Sequence, residues 1–134
     1  MSDSILKISE ASIIALHALM ELAKCRDKLL SVKEIAERLN VSANHLSKVL
    51  QRLCKVGIVK SIKGFNGGFS LCVEPEDITF MDLYEIFDGK LKDANCLLRR
   101  VACKENCIFG TMLASISKEV RKKFKNTTLA ELIK

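Results

Sequence analysis

Apolar residues recur along this chain at three- and four-residue intervals through several stretches, separated by short runs that are apolar without that period. Over 5–23 the residues Ile5, Ile8, Ile13, Leu16, Leu19, Met20 and Ala23 carry the spacing, with Ser9, Glu10, His17, Glu21 and Lys24 between them. This predicts an amphipathic helix that begins near Ser9, with the Ser9 hydroxyl as its cap. Residues 25–30 form a short polar connection. Ser31 and Glu34 have capping-box spacing and open a helix whose inner side is Val32, Ile35, Ala36 and Leu39. Asn40 suits a left-handed helix end, and Val41 packs the turn. Ser42 caps the next helix, which carries Leu46, Val49, Leu50, Leu53 and Val56 as its apolar stripe and closes at Gly57.

Two strand-like runs follow, 58–62 and 69–73, joined by KGFNGG. Glycines at 64, 67 and 68 permit the tight or left-handed turn of a hairpin. After a turn at 75–78, Thr79 and Asp82 make a second capping box for a helix over 80–87, with Phe80, Leu83, Ile86 and Phe87 as its stripe and Gly89 as its stop. Residues 90–104 lack periodicity and predict an irregular loop. Helical spacing returns over 108–124, with Phe109, Met112, Leu113, Ile116, Val120 and Phe124 on one side. That stripe finds no evident partner in its own chain beyond the first helix, so the pattern predicts a symmetric dimer. Thr128 and Glu131 suggest a last capping box before a turn that folds back on the body.

A short helix, a tight break and a second helix, followed by a hairpin, is the order of a winged helix-turn-helix. The expected fold is mainly α with a small β-hairpin, with residues 1–75 as the winged helix-turn-helix. Residues 76–134 would then hold the cysteine loop and a long C-terminal dimerisation helix, packed with the first helix. Charge sharpens this reading. The chain has 22 Lys and Arg against 16 Asp and Glu, a net charge of +6. From Ser42 to Lys63 there are five basic residues and no acid, so one face of the second helix meets a polyanion with nothing to repel it. Candidate contacts to double-stranded DNA are Ser42, Asn44, His45 and Ser47 near the helix start and Lys48, Arg52 and Lys55 along it. On the wing they are Lys60, Lys63 and Asn66.

Neither a secretory signal nor a run able to cross a bilayer is evident, which points to a cytoplasmic protein without a membrane partner. No nucleophile, base and acid stand together, so an enzyme is not expected. Of six cysteines, Cys25, Cys54 and Cys72 sit singly and are expected as small buried hydrophobes. Cys96, Cys103 and Cys107 are grouped as C-x6-C-x3-C on the loop, near Arg99, Arg100 and Lys104. Three thiolates there suit an iron–sulfur centre or zinc, with metal-free redox thiols or inert thiols as the other readings. The fourth ligand is open among Asn95, Glu105, Glu10, His17, His45, a partner subunit's residue or a small molecule. A protein-interaction or metal-delivery module on the same scaffold is the alternative from another class; the acid-free stretch argues against it.

With these residues in view, the chain resembles the Rrf-two family of winged-helix transcription regulators. The resemblance rests on SVKEIAERLNVSANHLSKVLQRLCKVGIVKSIKGFNGGFSL at 31–71, the PEDIT segment after it, the three-cysteine loop and NTTLAELI at 126–133. It implies a homodimer crossing its long helices and a [2Fe-2S] or [4Fe-4S] cluster on Cys96, Cys103 and Cys107 whose state sets DNA affinity. Members of the family sense iron–sulfur status or nitric oxide. Lys63 stands where the family usually has arginine. The positions that complete the cluster in two such members are here Gly110 and, by the nearest match, Ile13.

Overall fold

The computed structural model describes residues 6–91 and 108–134. The elements run α1 (Glu10–Lys24), α2 (Val32–Leu39), α3 (Ala43–Lys55), β1 (Val59–Ile62), β2 (Gly68–Leu71), a 3-10 turn at Pro75–Asp77, α4 (Phe80–Asp88), α5 (Ile108–Asn126) and α6 (Leu129–Leu132). Most ends form where the side chains dictate. The hydroxyls of Ser9, Ser31, Ser42 and Thr79 accept from the backbone amides of Ser12, Glu34, His45 and Asp82. Ser31 with Glu34 and Thr79 with Asp82 close full capping boxes, which satisfies amides that a helix start leaves bare. At Thr128 only the hydroxyl's half of the predicted box forms, with Glu131 N–H as its donor.

The core is one continuous cluster centred on α1. It joins Ile14, Ala15, Ala18, Leu19 and Leu22 to Ile35 of α2, to Leu46, Val49, Leu50 and Leu53 of α3, to Val59 and Leu71 of the hairpin, and to Leu83 and Leu129. The inner face of α1 is rotated from the one its spacing predicts. Ile13 is exposed, Leu16 and Met20 are half-buried, and Ser12 is fully buried. Two small residues, Ala15 and Ala18, let neighbouring helices approach closely. Ser12 tolerates burial because its hydroxyl donates to Asp88 at the end of α4, and a buried hydroxyl without such a partner would be costly. The same carboxylate accepts from the Ser9 amide and hydroxyl, so the start of α1 is pinned to the end of α4.

Strands β1 and β2 are antiparallel, with Val59 opposite Leu71 and Ile62 opposite Gly68. Leu30, in the stretch that composition marks as a polar connection, is fully buried and exchanges both backbone bonds with Phe69 at 3.1 and 2.8 Å. It gives β2 a partner on its second edge. Gly68 lies under this contact, where a Cβ would meet the Leu30 carbonyl oxygen at 2.8 Å.

In α4 the buried residues are Met81 and Leu83, while Phe80, Ile86 and Phe87 are half-buried. Phe124 of α5 meets Phe80 edge-on at 4.7 Å between ring centroids and Tyr84 at 5.5 Å. Among the described residues the ring contacts of α5 are thus made with α4. After α5 the chain turns back: Phe80 N–H bonds the Thr127 carbonyl, Leu129 N–H bonds the Ile78 carbonyl, and Leu129 is buried. Among the described residues no helix is long and apolar enough to cross a membrane.

Candidate nucleic-acid interface

The break between α2 and α3 is made by one residue. Asn40 adopts φ 55° and ψ 50°, a left-handed conformation that asparagine tolerates better than most residues. The amides of Asn40 and Val41 both return to the Ala36 carbonyl. Ser42 then starts α3 in extended conformation, with its oxygen taken up by the His45 amide at 3.3 Å. That use of the oxygen leaves its O–H proton as the group able to meet a phosphate.

Helix α3 is buried along Leu46, Val49, Leu50 and Leu53. The opposite side, at spacings of four, three and four, carries Asn44, Lys48, Gln51 and Lys55, all exposed. Ser47 and His45 flank this face and are half-buried. Gln51, which charge and capping signals did not single out, donates to the Ser47 hydroxyl at 3.4 Å; the signal that finds it is position, in the centre of the outer face. Val56, assigned to the inner stripe by its spacing, is 48 % exposed because it lies past the helix end as the cap residue. The closure there is a Schellman motif: Gly57, at φ 86°, bonds the Cys54 carbonyl and Ile58 bonds that of Leu53.

Arg52 is exposed and lies on the edge of the outer face, with one guanidinium nitrogen donating to the Ile86 carbonyl at 3.1 Å. Ile86 sits in the last turn of α4, where free carbonyls favour a cation. The remaining guanidinium donors extend away from that bond. No local signal marks this tie, since its acceptor is a main-chain oxygen 34 residues on.

The wing is a five-residue connection between β1 and β2, closed by a Gly67 N–H to Gly64 carbonyl bond of 3.0 Å. A Cβ on Gly67 would lie 2.0 Å from the Ile62 carbonyl oxygen, so only glycine fits. Lys60, Lys63 and Asn66 are exposed, as is Phe65 at 103 %. The first acid after Ser42 is Glu74, and it is held by Arg26 through both carboxylate oxygens, at 2.9 and 3.0 Å. The whole surface of α3 and the hairpin is thus free of their own carboxylates.

Of the single cysteines, Cys25 and Cys54 are half-buried and Cys72 is exposed. Cys72 lies just past the end of β2 at Leu71, where the chain leaves the core, so the expectation of a buried thiol fails there. Burial pushes the Cys54 thiol above its ordinary pKa, and the nearby Cys72 adds to the rise. Cys96, Cys103 and Cys107, with Asn95, Arg99, Arg100, Lys104 and Glu105, lie outside the described residues. So do Ile5 and the side chain of Phe109. Of the other candidate ligands, Glu10 is exposed at the start of α1, and His17 Nδ1 lies 2.9 Å from the Ile13 carbonyl oxygen. Among the described residues no three His, Cys, Asp or Glu side chains converge as a metal site.

A model of the Rrf2 family, described as an iron-dependent transcriptional regulator, matches residues 8–134. The chain is 40 % identical over 123 residues to an HTH-type transcriptional regulator of Aquifex aeolicus (strain VF5), a match covering 89 % of this chain and 85 % of that protein. It is 34 % identical over 92 residues to the regulator NsrR of Bacillus subtilis (strain 168), covering 68 % of this chain and 63 % of that one. Among solved structures it is similar to CymR (YrzC), the global cysteine regulator of B. subtilis, with a TM-score of 0.83, 31 % identity and coverage of 96 % and 97 %. It is similar also to IscR of T. potens, with a TM-score of 0.76, 26 % identity and coverage of 96 % and 87 %. These relatives are transcription regulators and not enzymes, and the chain, matched along nearly its whole length, belongs to the Rrf2 family.

Proposed function

We propose that the protein is a homodimeric, sequence-specific DNA-binding regulator in the cytoplasm that responds to redox, nitric oxide or iron–sulfur status through Cys96, Cys103 and Cys107. The observation that carries the DNA reading is the outer face of α3 with the wing. Asn44, Lys48, Gln51 and Lys55 stand opposite the buried stripe, Lys60 and Lys63 extend the charge, and no acid interrupts it. Lysines there attract phosphates and set register, while Asn44 and Gln51 have the paired donor and acceptor that suit an adenine edge. The amides at the start of α3 favour a phosphate near Ser42.

Dimerisation through α5 is supported by its exposed apolar residues, Met112 at 47 % and Ile116 at 42 %, with Leu113 and Val120 half-buried beside them. Two copies crossing there would present two recognition helices to a near-palindromic site. The cysteine segment falls between α4 and α5 in the chain. Arg52 ties α3 to the end of α4, and Arg121 of α5 donates to the Leu91 carbonyl at 3.0 Å. A change in that segment therefore has a route to the recognition helix through the two helices that flank it.

Three thiols are the donor chemistry an iron–sulfur cluster takes, and bound there it would supply a group whose charge and ligation respond to oxidants and nitric oxide. A metal-free thiol regulator is the second reading, favoured by the likeness to CymR, whose Staphylococcus aureus counterpart is described in an oxidised form. The ultraviolet–visible spectrum with iron and sulfide content, taken without oxygen, separates the two. The DNA reading is tested by selecting duplexes from a random pool. Enrichment of a near-palindrome with half-sites roughly 34–36 Å apart, or a multiple of that, is the expected result; recovery of no preferred sequence contradicts it.

A further inference from the structure

Phe65 is the most exposed large apolar residue among those described. Leu6, Ile13, Ile62 and Met112 are between 36 % and 47 % exposed, whereas Phe65 is 103 % exposed. Single apolar residues at a surface need no explanation of themselves. This one differs in where it stands. It is the first central residue of the turn closed by Gly67 N–H on the Gly64 carbonyl, at the apex of the hairpin.

That apex is held firmly. Gly67 is pressed against the Ile62 carbonyl and Gly68 against Leu30, and β2 is bonded on both edges, to β1 and to Leu30. Among the described residues the ring contacts involve Phe80, Tyr84 and Phe124, and Phe69 packs on the core. The Phe65 ring contributes nothing of this kind. Lys60 and Lys63 stand at the base of the same arm, with no carboxylate from Ser42 to Val73. Phosphate attraction would therefore bring an apolar wedge, lacking any hydrogen-bonding atom, to a duplex.

Resting on the DNA-binding reading above, we infer that Phe65 is a DNA wedge: its ring enters the minor groove beside each half-site and partly unstacks one base step. A ring of this kind cannot read base edges by hydrogen bonds. Its preference is for steps that open easily, the pyrimidine–purine steps, so it adds specificity through deformability and bends the duplex toward the major groove.

The probe is the tightest duplex recovered from a random-sequence pool by the full-length wild-type protein, with 2-aminopurine replacing single adenines in turn. Wild type raises the fluorescence at one position per half-site, next to a pyrimidine–purine step. F65A weakens binding about tenfold, as removal of a base–aromatic contact does, and abolishes the fluorescence rise. It leaves the salt dependence and the thermal midpoint unchanged, because the ring carries no charge and packs on nothing. F65W restores both affinity and fluorescence. If F65A binds as wild type with the same rise, the wedge is wrong and the DNA reading stands. If the wild-type protein retains no duplex at low salt, the DNA reading fails and the wedge fails with it.

Discussion

The two halves of this molecule satisfy their own chemistry to different degrees. In the reading half, α1 to β2, the inner stripes are buried in a single core and the helix starts are capped by neighbouring hydroxyls. The outer face of its α3 is polar and basic. In the C-terminal half, α5 is anchored at one end by Phe124 against Phe80 and Tyr84 but leaves Met112 and Ile116 open to water. On the proposed function, a winged part whose core is closed within the chain, joined to a helix whose apolar face is left open, is what a regulator would need if its signal acted by changing how two copies are held.

The largest effect should come from breaking that second half. Charging the α5 face with M112E/I116E would leave the winged part folded, since neither side chain belongs to its core. Sedimentation should then report a monomer, and operator affinity should fall by roughly 10²–10⁴, as expected when linked binding is abolished. A dimer with unchanged affinity would show that α5 is not the interface. Next is the core of the reading half. Leu53 is fully buried on the inner side of α3, and L53A should cost about 3 kcal/mol in denaturant unfolding, with the whole of α1 to β2 unfolding in one transition.

Much of this division was legible in local sequence. The serines and threonine that cap helices, the Asn40 break and Gly57 act through residues within five positions of themselves, so their signals are local. The outer face of α3 was legible for the same reason, its period being fixed by helix geometry. What escaped the sequence depended on distant partners. Ser12 is buried because Asp88 accepts a hydrogen bond from its hydroxyl, Leu30 because Phe69 pairs with it, and Arg52 turns toward α4 because Ile86 offers a carbonyl. Phe65 was hidden differently: exposure of an aromatic has no mark in composition, since the same residue four positions on, Phe69, packs on the core.

Smaller changes sharpen the contrast within the reading half. N40A puts a residue that tolerates the left-handed region less well than asparagine into φ 55°, and should cost about 1 kcal/mol of stability. N40G should match wild type or exceed it slightly. The thiols give the mildest test. The raised pKa of Cys54 keeps it protonated over a wider range than an ordinary thiol, and it reacts only as the thiolate. At neutral pH the exposed Cys72 should therefore be alkylated several times faster, with the Cys54 rate rising later as pH increases. Peptide mass spectrometry reads both sites, and equal rates would contradict the burial of Cys54.

The central claim is that the acid-free face of α3 contacts DNA phosphates, and salt dependence measures it most directly. With one selected duplex, the slope of log affinity against log salt is compared for wild type and K48A/K55A in the full-length protein. Removing one lysine–phosphate pair should flatten the slope by about 0.9 per binding head, so the double variant of a dimer should flatten it by roughly 3 to 4 and bind more weakly at every salt concentration. An unchanged slope, with the variant folded and dimeric, would mean that this face is not where the duplex lies.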